Sequence, residues 1–273
     1  MNSVNTNVGA MIALQQLNRT NTELQEVQSR INTGKRINSA KDNGAIWAIA
    51  QNQRATSSSL NTVKESLSRA VSTVDVALSA GESISDLLLQ MKDKALAASD
   101  TSLDTAARSA LDADFQSLRD QIRKVIANAE FNGINLLKTA AASLTALANA
   151  TGTKLTVQSQ VLALGGSKIT ITNGAALSSA SVASTMVGLL NTSIANVSSS
   201  LSSLGTASKS VTQHLEFVGK LQDTIDAGVG NLVDADLAKE SARLQALQTK
   251  QQLGVQALAI ANGSSQVLLG LFR

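Results

Sequence analysis

Residues 190–232 read LNTSIANVSSSLSSLGTASKSVTQHLEFVGKLQDTIDAGVGNL, and their spacing decides the fold. Leu190, Val197, Leu204, Val211, Val218, Ile225 and Leu232 recur at every seventh position without interruption. A second track, Ile194, Leu201, Ser208, Leu215, Gln222 and Val229, runs beside the first. Two such tracks form the seam of a coiled coil, here with two polar lapses. Neither this stretch nor the rest of the chain contains proline, so no residue lacks the backbone donor that a long helix needs. At ~1.5 Å per residue the stretch would run for roughly 65 Å, about twice the width of a small domain. It predicts a rod.

The same pattern occurs twice upstream. Leu60, Leu67, Val74, Gly81, Leu88 and Ala95 form one track, and Val63, Ala70, Ala77, Ile84, Met91 and Ala98 its neighbour. A shorter pair sets Leu111, Leu118 and Val125 beside Phe115, Ile122 and Ala129. Three amphipathic helices with compatible stripes predict a mainly α fold, an elongated coiled-coil or helical-bundle rod. Asp100 to Asp104 reads as the capping turn between the first two of them. Gly81, inside the seam, reads as a close-packing position and not a hinge. Of 273 residues 43% are hydrophobic, yet only Trp47, Phe115, Phe131, Phe217 and Phe272 are aromatic. A core without aromatic anchors must be packed with Leu, Val, Ile and Ala, which is unlike a large enzyme core.

The middle of the chain differs. From Thr139 to Ser208 the only charged residues are Lys154 and Lys168, while 24 positions are Ser or Thr. Leu155-Thr156-Val157 and Ile169-Thr170-Ile171-Thr172 alternate with period two around Gly165-Gly166, which predicts a small β-hairpin inserted between helices. Asn132-Gly133 is a tight-turn signal where the third helix ends.

The two ends share another property. Met1 to Asn18 and Gln251 to Phe272 carry no charged side chain, yet both are amphipathic at helical spacing. Leu17, Leu24 and Ile31 form a track with Val27 beside it, and Leu237, Leu244 and Leu258 are joined by Leu247 and Ala261. Chain ends are usually charged and solvated. Uncharged amphipathic ends need partners to bury their stripes, and the candidates are each other and copies of the same chain. The first charge is Arg19, so the basic start of a secretory signal peptide is missing. No run of ~18 apolar residues suggests a membrane span. A net charge of +3 with scattered basic residues argues against nucleic-acid binding.

Nothing assembles a nucleophile, a base and an orienter, so no enzyme is expected, and no cofactor or metal. Zero Cys removes disulfides, thiol catalysis and Cys-based zinc sites, and a single His removes paired-His metal motifs. Asp112 and Asp114, like Asp234 and Asp236, are two residues apart and do not face each other on a helix; helix starts or solvated faces explain them. His214 reads as a residue flanking the seam. Gly165-Gly166 lacks the Lys and Ser/Thr of a phosphate loop and reads as a turn.

Several stretches resemble the bacterial flagellins. At the N-terminal side these are Asn5-Thr6-Asn7, then Arg36-Ile37-Asn38-Ser39-Ala40-Lys41-Asp42 and Ala48-Ile49-Ala50. Phe131-Asn132-Gly133, continued by Ile134-Asn135-Leu136-Leu137, is similar to the family's segment after the second long helix. Ala235-Asp236-Leu237-Ala238-Lys239-Glu240, Gln251-Gln252-Leu253-Gly254 and the closing Val267-Leu268-Leu269-Gly270-Leu271-Phe272-Arg273 complete the resemblance, which covers residues 1–140 and 185–273. It implies an inner core domain of paired N- and C-terminal helices (1–45 with 235–273) and an outer core domain of long helices (46–139 with 186–234). A small variable β-hairpin insert, 140–185, stands where larger flagellins carry extra outer domains.

The implied function is a secreted structural subunit that self-assembles into the extracellular flagellar filament for swimming, after export unfolded through a type III-like apparatus. The implied partners are itself, paralogous flagellins, an export chaperone and cap or hook-associated proteins, with no nucleic acid and no membrane insertion. The alternatives are a hook–filament junction protein or a secreted type III translocator. Inner-core packing is assigned to Leu14, Leu17, Leu24, Val27, Ile31, Leu244, Leu247, Leu258, Leu268 and Leu271. Trp47, where the family commonly has a small or polar residue, is a candidate subunit contact or the plug of an intramolecular gap. Gln90, Lys92 and Asp93 align with the two Arg and one Glu that the Toll-like receptor for flagellin reads, a change that weakens bidentate contacts. The exposed Ser/Thr-rich middle is a candidate for O-linked sugars.

Overall fold

The computed structural model describes residues 6–270, with side chains as far as residue 263. Among these the chain forms α1 (Val8–Thr33), α2 (Gly44–Ala98), α3 (Thr105–Asn128), β1 (Leu144–Leu147), β2 (Lys154–Val157), α4 (Ala180–Val233) and α5 (Leu237–Gly270). The mainly α fold with a small β-hairpin is as the sequence predicts. α2 and α4 run unbroken for 55 and 54 residues. Two compact units result: a terminal unit, taking the chain up to Ser57 and again from Asp223, and a central unit, Ser58–Gln222. These limits fall inside α2 and α4, and neither helix marks the passage with a turn.

In the central unit the α2 seam is buried along both tracks: Leu60, Leu67, Val74, Leu88 and Ala95 on one, Val63, Ala70, Ala77, Ile84, Met91 and Ala98 on the other. α4 lies antiparallel to it. Gln222 meets Asn61 at 2.9 Å and Lys64 at 3.4 Å, Ser208 meets Asp75 at 3.3 Å, and Leu201 lies over Gly81. A Cβ on Gly81 would stand 2.6 Å from Leu201 Cδ2, so this glycine marks a close approach of helices. α3 follows α2 through the expected capping turn. The Asp100 carboxylate accepts from the Ser102 amide at 2.8 Å and Asp104 caps α3 through the Ala107 amide at 2.7 Å.

Two seams shift from their predicted registers. On α4 the first track is buried at Leu190, Val197, Leu204, Val211 and Val218, whereas Ile194 and Leu201 are half-buried. Their place is taken by Ser193 and Ser200, both fully buried. Each serine hydroxyl donates to the carbonyl four residues back, at 2.8 and 2.9 Å, and so satisfies itself without a partner helix. On α3 the buried track is Phe115, Ile122 and Ala129 with Ile126, while Leu111 and Leu118 flank it half-buried.

The hairpin is also re-paired. Residues 155–157 belong to β2 as predicted, but their partner is Leu144–Leu147, in the register Leu144 to Val157 through Leu147 to Lys154. The turn is built on Asn149, whose side-chain oxygen accepts from the Thr151 and Thr153 amides at 3.1 and 3.0 Å, with Gly152 at φ 86°. Residues 169–172 form no strand. Ile169 and Ile171 are fully buried, and the Thr170 amide between them donates to Ser193 Oγ at 3.2 Å. The period-two signal there is real, but it comes from an extended segment packed on α4 rather than on a neighbouring strand. Asn132-Gly133 makes the predicted tight turn, with φ 51° and 80° between Phe131 and Ile134.

Candidate assembly interface

The terminal unit shows what the two helices with uncharged outer ends do. Asn7 caps α1, its side-chain oxygen accepting from the Ala10 amide at 3.0 Å, while its Nδ2 donates to the Ala261 carbonyl at 2.7 Å. Further along, Gln251 Nε2 donates to Asn21 Oδ1 at 2.7 Å, and Arg30 reaches Glu240 at 3.4 Å. As α1 advances from residue 7 to 30 its partner recedes from 261 to 240, so α1 and α5 pair antiparallel.

Between these polar clamps Val27 and Leu247 are buried, and Leu17, Leu24, Ile31, Leu244 and Leu258 half-buried. Gly254 lets the helices close, since a Cβ there would stand 3.2 Å from Leu17 Cδ1. Leu14 does not belong to this stripe. It lies about 120° round the helix from buried Thr20 and is 48% exposed. Leu268 lies beyond the described side chains and Leu271 beyond the described residues.

Periodicity in apolar residues missed Thr20, which is polar by type yet buried, its hydroxyl satisfied by the Gln16 carbonyl at 3.0 Å. It also missed the Arg30 to Glu240 link. Arg30 is shared with Glu26, and Glu240 Oε2 is buried without a hydrogen-bond partner among the described residues. Long-range charge pairs leave no local mark in a sequence.

The connection after α1 is stitched to that between α4 and α5. Gly34 ends α1 at φ 68°, its carbonyl accepts from the Ala235 amide at 3.0 Å, and the Arg36 amide donates to Val233 at 2.7 Å. Asp42 then accepts from the Asn38 and Ser39 amides, both at 2.9 Å. The Ser39 amide first and the Asn38 amide second hold its carboxyl below the usual aspartate value. Asp236 caps α5 through the Ala238 and Lys239 amides, both at 3.1 Å, which settles it as a helix start. Asp112 and Asp114 diverge, one accepting from the Leu177 amide at 2.5 Å and the other from Lys94 at 2.7 Å.

Trp47 packs, with Ile46, Ile225 and Leu232, against a cluster of Ile37, Ala50, Val229 and Val233. Its half-buried ring thus packs within its own chain, and Ile225 belongs to this cluster and not to the central seam. In the central unit Gln90 and Asp93 are exposed and Lys92 half-buried on α2.

Part of what remains uncovered on the terminal helices is apolar. Val8, Met11, Ile12 and Leu14 on α1 and Leu237, Leu253, Val255 and Ile260 on α5 make up eight of the fifteen large hydrophobic residues exposed among those described. On α5 they flank the α1-facing stripe on both sides, so the helix is apolar over more of its circumference than one partner can cover. No helix among the described residues is long and apolar enough to cross a membrane.

Known proteins share this organisation. Residues 4–142 match the bacterial flagellin N-terminal helical region, and residues 187–272 the bacterial flagellin C-terminal helical region. Flagellin FljM of Caulobacter vibrioides is 60% identical over 273 residues, covering 100% of this chain and 99% of that one. The flagellin of Brucella melitensis is 36% identical over 283 residues, covering 100% of both. The structure of a flagellar hook-associated protein from Vibrio parahaemolyticus superposes with a TM-score of 0.58 at 16% identity, covering 71% of this chain and 100% of that one. At that identity the likeness concerns the fold alone. Two family regions in order and full-length relatives at this identity make the chain a member of the bacterial flagellins.

Proposed function

We infer that the protein is a structural subunit of the bacterial flagellar filament, working outside the cell, and that it assembles through the exposed apolar flanks of α1 and α5. The observation that carries the assembly route is the concentration of uncovered large hydrophobic residues on these two helices. Burying a large apolar side chain contributes ~1.5–3 kcal/mol, and these are about half exposed, so eight contribute roughly 6–12 kcal/mol gross. That is of the size needed against the ~4–15 kcal/mol cost of association. Repeated contacts between unlike faces that do not close on themselves give a filament.

In this reading residues 1–45 with 235–273 form the inner core domain and 46–139 with 186–234 the outer one. The insert 140–185 is the variable part, whose Ser/Thr-rich surface is the candidate for O-linked sugars. Copies of this chain and paralogous flagellins are the polymer partners, with an export chaperone and cap and hook-associated proteins acting before and at assembly. No catalytic step belongs to this role.

Negative-stain electron microscopy of purified protein, with a precipitating salt to promote assembly, tests the reading. The unmodified chain is expected to form long thin filaments, and the Ile12→Asp/Leu253→Asp chain none while keeping its helical circular dichroism. Filaments from the variant would sink the assembly route. Gln90, Lys92 and Asp93 are expected to give a weak response in receptor-reporter cells; a response equal to that of a receptor-active flagellin refutes this.

A further inference from the structure

Aromatic residues are scarce in this chain, and the structure treats them unequally. Phe115 is fully buried and Trp47 and Phe131 are half-buried, but Phe217, on the central part of α4, is 57% exposed. Its ring is held against His214, with centroids 6.0 Å apart, and His214 Nε2 in turn lies 2.7 Å from the Ala148 carbonyl beside the hairpin turn. Phe217 is therefore an oriented knob rather than a loose side chain. Beside it Glu216 is exposed and has no ion pair among the described residues; Lys220 follows one turn later.

The same central unit carries a cleft of about 450 Å³ between the end of α3 and the segment before α4. Ile126 and Leu164 belong to its apolar lining, Thr139 and Asn173 to its polar lining, and Arg123 and Lys138 supply its two cations. A cavity of ~150 Å³ is already enough for benzene. Arg123 is shared with Asp120 at 3.0 Å, whereas Lys138 has no ion pair among the described residues. Phe217 does not fill the cleft of its own chain, because it is exposed.

We propose that Phe217 and Glu216 of one copy seat in the Arg123/Lys138 cleft of a second copy. The knob is aromatic with an acid beside it, and the cleft joins apolar side chains to two cations, so apolar and charged groups match in one orientation. Knob and cleft are different surfaces, so the contact leaves one of each free and extends indefinitely. This deepens the filament reading and rests on it: it adds a contact in the central unit to those of the terminal helices.

The chain has no Cys, which permits a clean test. Polymer of the Glu216→Cys/Lys138→Cys chain, treated with a short bis-maleimide, is expected to give a ladder of dimers, trimers and higher species in denaturing gels. Either single variant is expected to stay monomeric, and dimers from Glu216→Cys alone would mean a like-with-like contact and overturn the proposal. Phe217→Ala is expected to raise the critical concentration about tenfold or more, the size of a buried aromatic anchor. Lys138→Glu is expected to raise it similarly, and Lys138→Glu/Glu216→Lys to bring it back towards the unmodified chain. A polymer without ladder or rescue leaves the cleft to another partner and overturns this contact alone. If the unmodified chain gives no polymer, the filament reading falls and this contact with it.

Discussion

Ile84 and Ile12 occupy amphipathic helices of the same chain, yet the first is fully buried and the second 62% exposed. The central unit covers its seams from within: both α2 tracks, the α4 track down to Val218 and the Phe115 track of α3 are buried by one another. The terminal unit covers the stripe that α1 and α5 present to each other and the small cluster around Trp47. Its polar clamps, Asn7 to Ala261 and Gln251 to Asn21, fix that pairing while leaving apolar flanks in water. The central unit thus buries its seams within its own fold while leaving Phe217 in water, and the terminal helices carry eight of the fifteen large hydrophobic residues exposed among those described.

The sharpest way to break this contrast is to remove one apolar side chain from each. Phe115→Ala empties a fully buried site and is expected to cost ~3–5 kcal/mol, with a large fall in Tm by circular dichroism. Ile260→Ser acts at a site that is 74% exposed and is expected to change monomer stability by no more than ~0.5 kcal/mol while suppressing polymerisation. Equal Tm losses for the two would erase the distinction.

The long seams were legible because a seven-residue period repeated over many turns leaves little choice of face. What was not legible followed from polar groups that satisfy themselves. Ser193 and Ser200 sit where apolar residues were expected, since a serine bonded to its own helix carries no unpaired donor into the core. Thr20 does the same on α1. The alternation at Ile169 and Ile171 reports two buried side chains, and a period of two cannot say whether a strand or a helix covers them. At the ends, lack of charge predicted the pairing of α1 with α5, but Leu14 shows that it could not assign each leucine to the inner stripe or to the outer flank. Trp47 packs on residues more than 170 positions away in the chain, a neighbourhood that no local pattern announces.

Polar groups sharpen the comparison at smaller scale. Asn135 is buried in the central unit, donating to the Ile126 carbonyl at 2.7 Å and accepting from the Leu137 and Lys138 amides at 2.8 and 3.1 Å. Asn135→Ala orphans a carbonyl and two amides, and is expected to cost about 2 kcal/mol or more in urea unfolding. Gln251→Ala removes one part-buried bond to Asn21, which water can replace, and is expected to cost about 1 kcal/mol or less. The reverse order would mean that the terminal pairing, and not the central core, sets global stability.

The smallest expected effect is acid sensitivity. Asp42, in the loop after α1, and Asp100, in the turn before α3, both titrate below the ordinary aspartate value. Backbone amides favour the charged carboxylate in each, Ser39 then Asn38 for Asp42, and Ser102 for Asp100. A carboxyl whose value is lowered by folding stabilises the fold fully above the unfolded value of about 3.9, and that contribution is lost as pH falls through the lowered folded value. Both groups are near the surface, so solvent screening keeps each contribution small. NMR titration of the two carboxyls is expected to place both midpoints under those of free aspartate. The Asn38 and Ser39 amides should exchange faster once Asp42 is protonated, and at neutral pH in the Asp42→Ala chain. Since Asp42 ties down the loop that is stitched to the start of α5, its release should loosen the terminal unit before the central one, whereas Asp100→Ala should leave α1 and α5 protected.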